Sequence, residues 1–141
     1  MADEAQIRTS LQIVNTTTKL EYRSAPTAFT GDVTASKGPV PGAFSATLDG
    51  VDADFSELTT PAYCRMMNLD ATNFVTYGIW DDVTFYPLGE ILPGESYVIR
   101  ISRDLTEEFG TGTGTTGTAI NTLRFKADTA AVNVLVEAFE T

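Results

Sequence analysis

The 141-residue chain has no histidine and a single cysteine, Cys64. Without an imidazole there is no ordinary base to activate a serine or cysteine nucleophile. One cysteine rules out an intrachain disulfide. Beside Tyr63, Met66 and Met67, Cys64 reads as a small buried hydrophobe. Basic residues are scarce, with 9 Lys and Arg against 19 Asp and Glu and a net charge of -10. That balance argues against binding a phosphate backbone, which is neutralised by Lys and Arg. No segment approaches the roughly 20 apolar residues that cross a bilayer as a helix. The opening residues carry Asp3 and Glu4 where a signal peptide would be basic. The expectation is therefore a soluble protein kept inside the producing cell, exported without a cleaved signal, or released by lysis. Helical periodicity is missing too, since no stretch longer than a turn shows a 3.6-residue repeat.

What remains is strand and turn. Hydrophobic residues make up 43% and charged residues 20%, ordinary for a globular protein. The length suits one domain over residues 1–141, with a short flexible N-terminal arm of about residues 1–5. Ile7, Leu11 and Ile13 alternate with Arg8, Ser10 and Gln12, and Leu20 and Tyr22 alternate with Lys19, Glu21 and Arg23. This is the two-residue period of half-buried strands, and the turn Asn15-Thr16-Thr17-Thr18 between them predicts a hairpin. Short strands are expected near Ala28–Val33 and Ala43–Leu48.

Two further hairpins are expected in the centre. The first has arms on either side of Asn68-Leu69-Asp70-Ala71-Thr72-Asn73. The second pairs Val83–Tyr86 with Ser96–Ser102 around Pro93-Gly94, a dipeptide suited to a type II turn. Leu123 and Phe125 alternate with Thr122, Arg124 and Lys126, and Val132, Val134 and Val136 share one face with Ala138. Many short strands with Gly, Pro, Asn and Asp turns predict an all-β fold. The architecture expected is an antiparallel two-sheet β-sandwich, with jelly-roll topology favoured.

Candidate chemistry is thin. Asp49, Asp52 and Asp54 could offer oxygen ligands to a surface cation, but they lack the regular spacing and closing glutamate of an EF-hand loop. A solvated turn explains them more simply, and no metal or cofactor is expected. Asp81 and Asp82 are adjacent in a turn, a poor arrangement for two carboxyl groups flanking one substrate. The run Thr111-Gly112-Thr113-Gly114-Thr115-Thr116-Gly117-Thr118 resembles a phosphate-cradling loop only superficially, because the P-loop lysine and its βαβ setting are missing. It reads as a flexible loop, a common place for partner contacts. Trp80, Tyr77, Phe85 and Tyr86 either fill the core or form a stacking platform for a glycan. The expectation is a protein that is not an enzyme.

Several of these residues together resemble a family. The segments Thr60-Pro61-Ala62-Tyr63, Asn68 to Val75, Leu123-Arg124-Phe125-Lys126-Ala127 and Val132-Asn133-Val134-Leu135-Val136 are similar to small virion-associated proteins of tailed phages and prophages. The likeness spans roughly residues 58 to 138 plus the opening strand; Pro26 to Val51 takes no part in it. It implies a structural subunit located in the virion and assembled in the host cytoplasm, with no active site to transfer. Within that family the expected role is a capsid decoration or cement protein that stabilises the shell. A place in the neck, tail or fibre base, or a carbohydrate-binding module, is the alternative. The implied partners are the major capsid protein or other virion proteins and further copies of the chain, with neither nucleic acid nor membrane. The residues expected to meet the partner are Ala2, Asp3 and Glu4 of the arm, and Thr111, Gly112, Thr113, Gly114, Thr115 and Thr116 of the loop.

Overall fold

A computed structural model describes residues 5–31, 38–59, 61–101 and 122–140. The chain parts into two compact units, Met1–Thr34 and Ala35–Thr141, where the sequence suggests one sandwich from end to end.

The first unit is a two-stranded ribbon. Strands β1 (Ala5–Thr9) and β4 (Thr27–Gly31) form its base, and β2 (Gln12–Asn15) and β3 (Leu20–Arg23) its tip. The turn forms as its residues suggest: Asn15 Oδ1 accepts from the amides of Thr17 and Thr18 at 3.0 Å, and Lys19 takes a positive φ of 56°. Thr9 pairs with Thr27 and Gln12 with Arg23, so the returning strand holds one residue more between these pairs than the outgoing strand. Leu11 and Ser24 bridge that irregularity, the Leu11 amide donating to Ser24 Oγ at 2.8 Å and the Ser24 amide to the Leu11 carbonyl at 2.9 Å.

The second unit is the sandwich. Its first sheet has the order β10 (Ser96–Arg100), β7 (Pro61–Asn68), β12 (Val132–Glu140), β5 (Val40–Ala46). Its second has the order β6 (Val51–Asp52), β11 (Thr122–Ala127), β8 (Val75–Trp80), β9 (Phe85–Ile91). The antiparallel partners are nested: β5 with β12, β6 with β11, β7 with β10 and β8 with β9. The eight described strands of this unit, nested in this way across two sheets, follow the strand order of a jelly roll.

The core follows from the two-residue period. Cys64, Met66 and Asn68 on β7 and Val132, Val134, Val136 and Ala138 on β12 turn inward with no exposed surface. Val75, Ile91, Leu123, Phe125 and Ala127 answer from the other sheet. Phe44 meets Phe125 edge-on, ring centres 5.6 Å apart, joining the sheets at one end. Phe55 and Leu58, on the segment before β7, are buried in the same cluster.

Both central hairpins expected from the sequence are corrected. The runs on either side of Asn68–Asn73 are β7 and β8, which lie in different sheets, and β9 and β10 are likewise split. Each connection crosses the roughly 10 Å between stacked sheets rather than reversing within one. The cause is Asn68, whose inward side chain ties the crossing chain down. Its Nδ2 donates to the carbonyls of Asn73 at 2.9 Å and Ile91 at 3.0 Å, and its Oδ1 accepts from the Asp70 amide at 2.8 Å. The Pro93-Gly94 turn does form, with Gly94 at φ +76° and the Glu95 amide donating to the Leu92 carbonyl at 3.0 Å.

Candidate interaction surfaces

The ribbon is amphipathic. Alternation along the outgoing strand puts Ile7, Leu11 and Ile13 on one face, and cross-strand partners share a face. Ile13 therefore lies beside Tyr22, Asn15 beside Leu20 and Ile7 beside Phe29. The other face pairs Gln6 with Thr30, Arg8 with Ala28, Gln12 with Arg23 and Val14 with Glu21. Leu11, Ile13, Leu20 and Tyr22 are between 42% and 55% exposed, although their alternation reads as that of half-buried strands. A single two-stranded layer has no second layer of its own to cover such a face. Burying a Leu or Ile is worth about 1.5–3 kcal/mol, and a lone hairpin is marginal in water without it.

On the outer face of the second sheet one row of residues is built around Arg124. Its guanidinium makes a two-pronged ion pair with Asp52, the Nη2–Oδ2 distance being 2.9 Å, and lies 3.9 Å from the centre of the Trp80 ring. Two glycines make room for it. A Cβ on Gly50, which has φ +92°, would sit 2.7 Å from Arg124 Cδ. Gly78, opposite Arg124 on β8, lies beneath the Phe85 ring. The aromatic residues considered for a glycan platform are thus divided. Trp80 and Phe85 pair on the outer face, with Arg124 on the indole. Tyr77 packs against the core, and its hydroxyl lies 2.8 Å from where a Cβ on Gly89 would be. Tyr86 is exposed and donates to Asp81 Oδ2 at 3.1 Å.

Three of the other candidate carboxylates, Asp52, Asp54 and Asp81, are bonded within the chain. Asp52 serves Arg124. Asp54 is bonded by Ser56, first by its side chain and then by its amide, which donates to Oδ1 at 2.9 Å, and these bonds hold its carboxyl below the usual range. Asp81 Oδ1 accepts from the amides of Thr84 at 2.6 Å and Val83 at 3.0 Å, and these bonds lower its pKa. Asp82 stands next to it at φ +68°, in the left-handed region. Among the described residues no three of Cys, Asp and Glu gather as a group that could hold a metal ion. Burial, with the charge of Glu137 adding to it, pushes the Cys64 thiol up to about 12. That is the inert structural cysteine its apolar neighbours suggest.

The outer face of the first sheet carries its own polar ties. Arg65 pairs with Glu137 at 2.7 Å, and Arg100 donates to the Tyr63 hydroxyl at 2.8 Å.

At one end of the sandwich three connections are knotted together. Asp70 Oδ1 accepts from the amides of Thr72 and Asn73, the Thr129 hydroxyl donates to Asn73 Oδ1 at 2.9 Å, and the Asn68 amide donates to the Glu95 carbonyl at 3.0 Å. The Asn-Leu-Asp-Ala-Thr-Asn motif is therefore an architectural clamp. Its side chains are spent on the chain's own backbone, so its distinctiveness as a sequence comes from the demands of the crossing.

The expected partner residues Ala2, Asp3, Glu4, Thr111, Gly112, Thr113, Gly114, Thr115 and Thr116 lie outside the described residues. The exposed apolar face of the ribbon is the surface that the sequence signalled without revealing its use. The alternation is visible, but a strand with one apolar face looks the same whether its cover belongs to the chain or to a partner. No protein-family model, curated protein or solved structure matches the chain.

Proposed function

We propose that the chain is a non-enzymatic structural subunit of a tailed-phage virion, in the role of a capsid decoration protein that binds the shell and stabilises it. The observation that carries the reading is the amphipathic ribbon: Leu11, Ile13, Leu20 and Tyr22 present an exposed apolar face. A face of that kind gains free energy by being covered, which is how a cementing protein works. The side chains with the most elaborate bonding, Asn68, Asp70 and Arg124, are directed at the chain's own structure. The motif likeness to virion-associated proteins supplies the container, and the ribbon supplies the means of attachment.

The test is co-sedimentation of the purified protein with tailed-phage shells lacking a decoration layer, followed by measurement of the temperature at which the shells rupture. Saturable binding with a raised rupture temperature is the expected result. Failure to bind shells at any concentration overturns the decoration role, and binding to purified tails instead moves the protein to the neck or tail.

A further inference from the structure

We infer that two copies of this chain join edge to edge along β10, antiparallel about a two-fold axis at Val98. The inference does not rest on the container being a phage shell, and it makes no use of the ribbon's apolar face.

The sandwich ends in four edge strands, β10 and β5 in the first sheet and β6 and β9 in the second. An edge strand is a template for a further strand unless something spoils it. β6 is only two residues long. β9 contains Pro87 and faces an irregularity in register between Tyr77 and Gly78. β5 contains Pro41, which has no N–H to give, and Gly42 at φ +85°. β10 has none of these. Its sequence Ser96-Tyr97-Val98-Ile99-Arg100 is rich in strand formers, lacks Pro and Gly, and keeps one register with β7 throughout.

The phase of the hydrogen bonds decides which groups are on offer. The Asn68 amide donates to the Glu95 carbonyl at 3.0 Å, and the Ile101 amide donates to the Ala62 carbonyl at 2.8 Å. Both pairs continue the register in which Ser96 faces Met67 and Arg100 faces Tyr63. Main-chain groups alternate in direction along an antiparallel strand, so those of Glu95, Tyr97, Ile99 and Ile101 point at β7. Those of Ser96, Val98 and Arg100 point away from it, and among the described residues nothing bonds to them.

That pattern selects the occupant. Three outward residues at even spacing read the same in both directions. A second β10 run antiparallel sets Val98 against Val98 and Ser96 against Arg100, and each such pair exchanges both main-chain bonds. A slip of two residues loses one pair. The side chains agree with the centred register: Tyr97 meets Ile99 of the second copy, an aromatic against a β-branched residue, and no like charges meet. Ile99 already packs on the core, whereas Tyr97 is 42% and Val98 46% exposed, so the pairing covers apolar surface. No other edge of the sandwich offers β10 an unbroken row. A two-fold contact closes on itself and stops at a dimer.

Val98→Cys puts a thiol on the axis, its twin about 5.5 Å away at the Cα and within disulfide reach. Cys64 is fully buried and gives little background. Full-length Val98→Cys, oxidised with copper-phenanthroline at tens of micromolar, should link into a dimer at least several-fold faster than Val83→Cys, whose side chain is 81% exposed outside any strand. Val98→Glu stands beside Arg65 in its own chain and against a second carboxylate on the axis. With its fold confirmed by circular dichroism, it should shift the mass read by light scattering from a dimer to a single chain. Ile13→Asp should leave the dimer intact. Equal linking rates for the two cysteine variants overturn the inference, as does a Val98→Glu protein that stays dimeric. Dissociation by Ile13→Asp moves the contact to the ribbon and overturns it too. A native protein that is monomeric at tens of micromolar overturns it outright. A dimer that ignores shells sinks the decoration role and leaves this pairing standing; a monomer that binds shells does the reverse.

Discussion

The side-chain amide of Asn68 donates to the carbonyl of Ile91 at 3.0 Å, joining the end of β7 in one sheet to the end of β9 in the other. Asn68 is fully buried, and its three side-chain bonds leave it satisfied where an unpaired amide would be costly. Asn68→Ala removes them all and strands the partners in a dry site. It should destabilise the sandwich by about 3 kcal/mol. Urea unfolding would read this as a lower midpoint, and an unchanged midpoint would show that the clamp is dispensable.

Arg124 and Trp80 give an optical handle, since Trp80 is the chain's one tryptophan. Arg124→Lys keeps the charge but loses the planar fork and the stacked guanidinium. The expected cost is about 1 kcal/mol, the half-exposed position of Asp52 limiting the ion-pair part. The emission maximum should move to the red as the indole meets water. An unmoved spectrum would mean that the guanidinium does not shield the ring.

Gly78 tests close packing between β8 and β9. A Cβ there would lie 2.9 Å from both Phe85 Cε2 and Pro87 Cα and would collide with the Tyr86 carbonyl oxygen. Gly78→Ala should cost about 3 kcal/mol through overpacking that backbone atoms cannot relieve. A melting temperature within a degree of the native one would refute the packing.

Acid should loosen the turns. Hydrogen bonds from Asn73 and Thr72 lower the Asp70 pKa, and those from Thr84 and Val83 lower that of Asp81. Unfolding returns each group toward 3.8, so the unfolded chain takes up protons first as pH falls. Their contribution is complete above that value and is lost as pH drops through the lower folded pKa. Melting temperatures recorded from pH 5 down to pH 2.5 should decline below about pH 4. The decline should be shallower in Asp70→Asn; an identical slope would remove Asp70 from the account.

Cys64 should be silent to thiol reagents in the folded state. With the thiol pushed up to about 12 and no exposed surface, labelling at pH 8 should wait on unfolding. Rapid labelling without denaturant would contradict its burial.

Strand content and inside–outside assignment were legible because one physical rule generates them. Val132, Val134, Val136 and Ala138 face inward as their spacing requires, as do Leu123 and Phe125. Turn chemistry at Asn15 and at Pro93-Gly94 was legible for the same local reasons. Partner choice between strands was not. Asn68–Asn73 looks like a reversal because Asn and Asp bond nearby amides in reversals and in sheet-to-sheet crossings alike. What separates the two is the long-range bond from Asn68 to Ile91, which no local window contains. The ribbon escaped for a related reason: Leu11 and Ile13 alternate as core strands do, and burial is a property of neighbours.

Nested pairing also fixes an order of events during synthesis. β12 lies between β7 and β5 in the first sheet, and it is the last described strand to leave the ribosome. Until it arrives, β5 and β7 have no common partner and the floor of the barrel-like roll is missing. The nascent sandwich must wait, apolar and open, until Val132–Glu140 has been made. The ribbon needs only its own residues to pair and can zip up long before. A chain halted ahead of Val132 would carry a finished ribbon on an unfinished body, in a state dependent on chaperones.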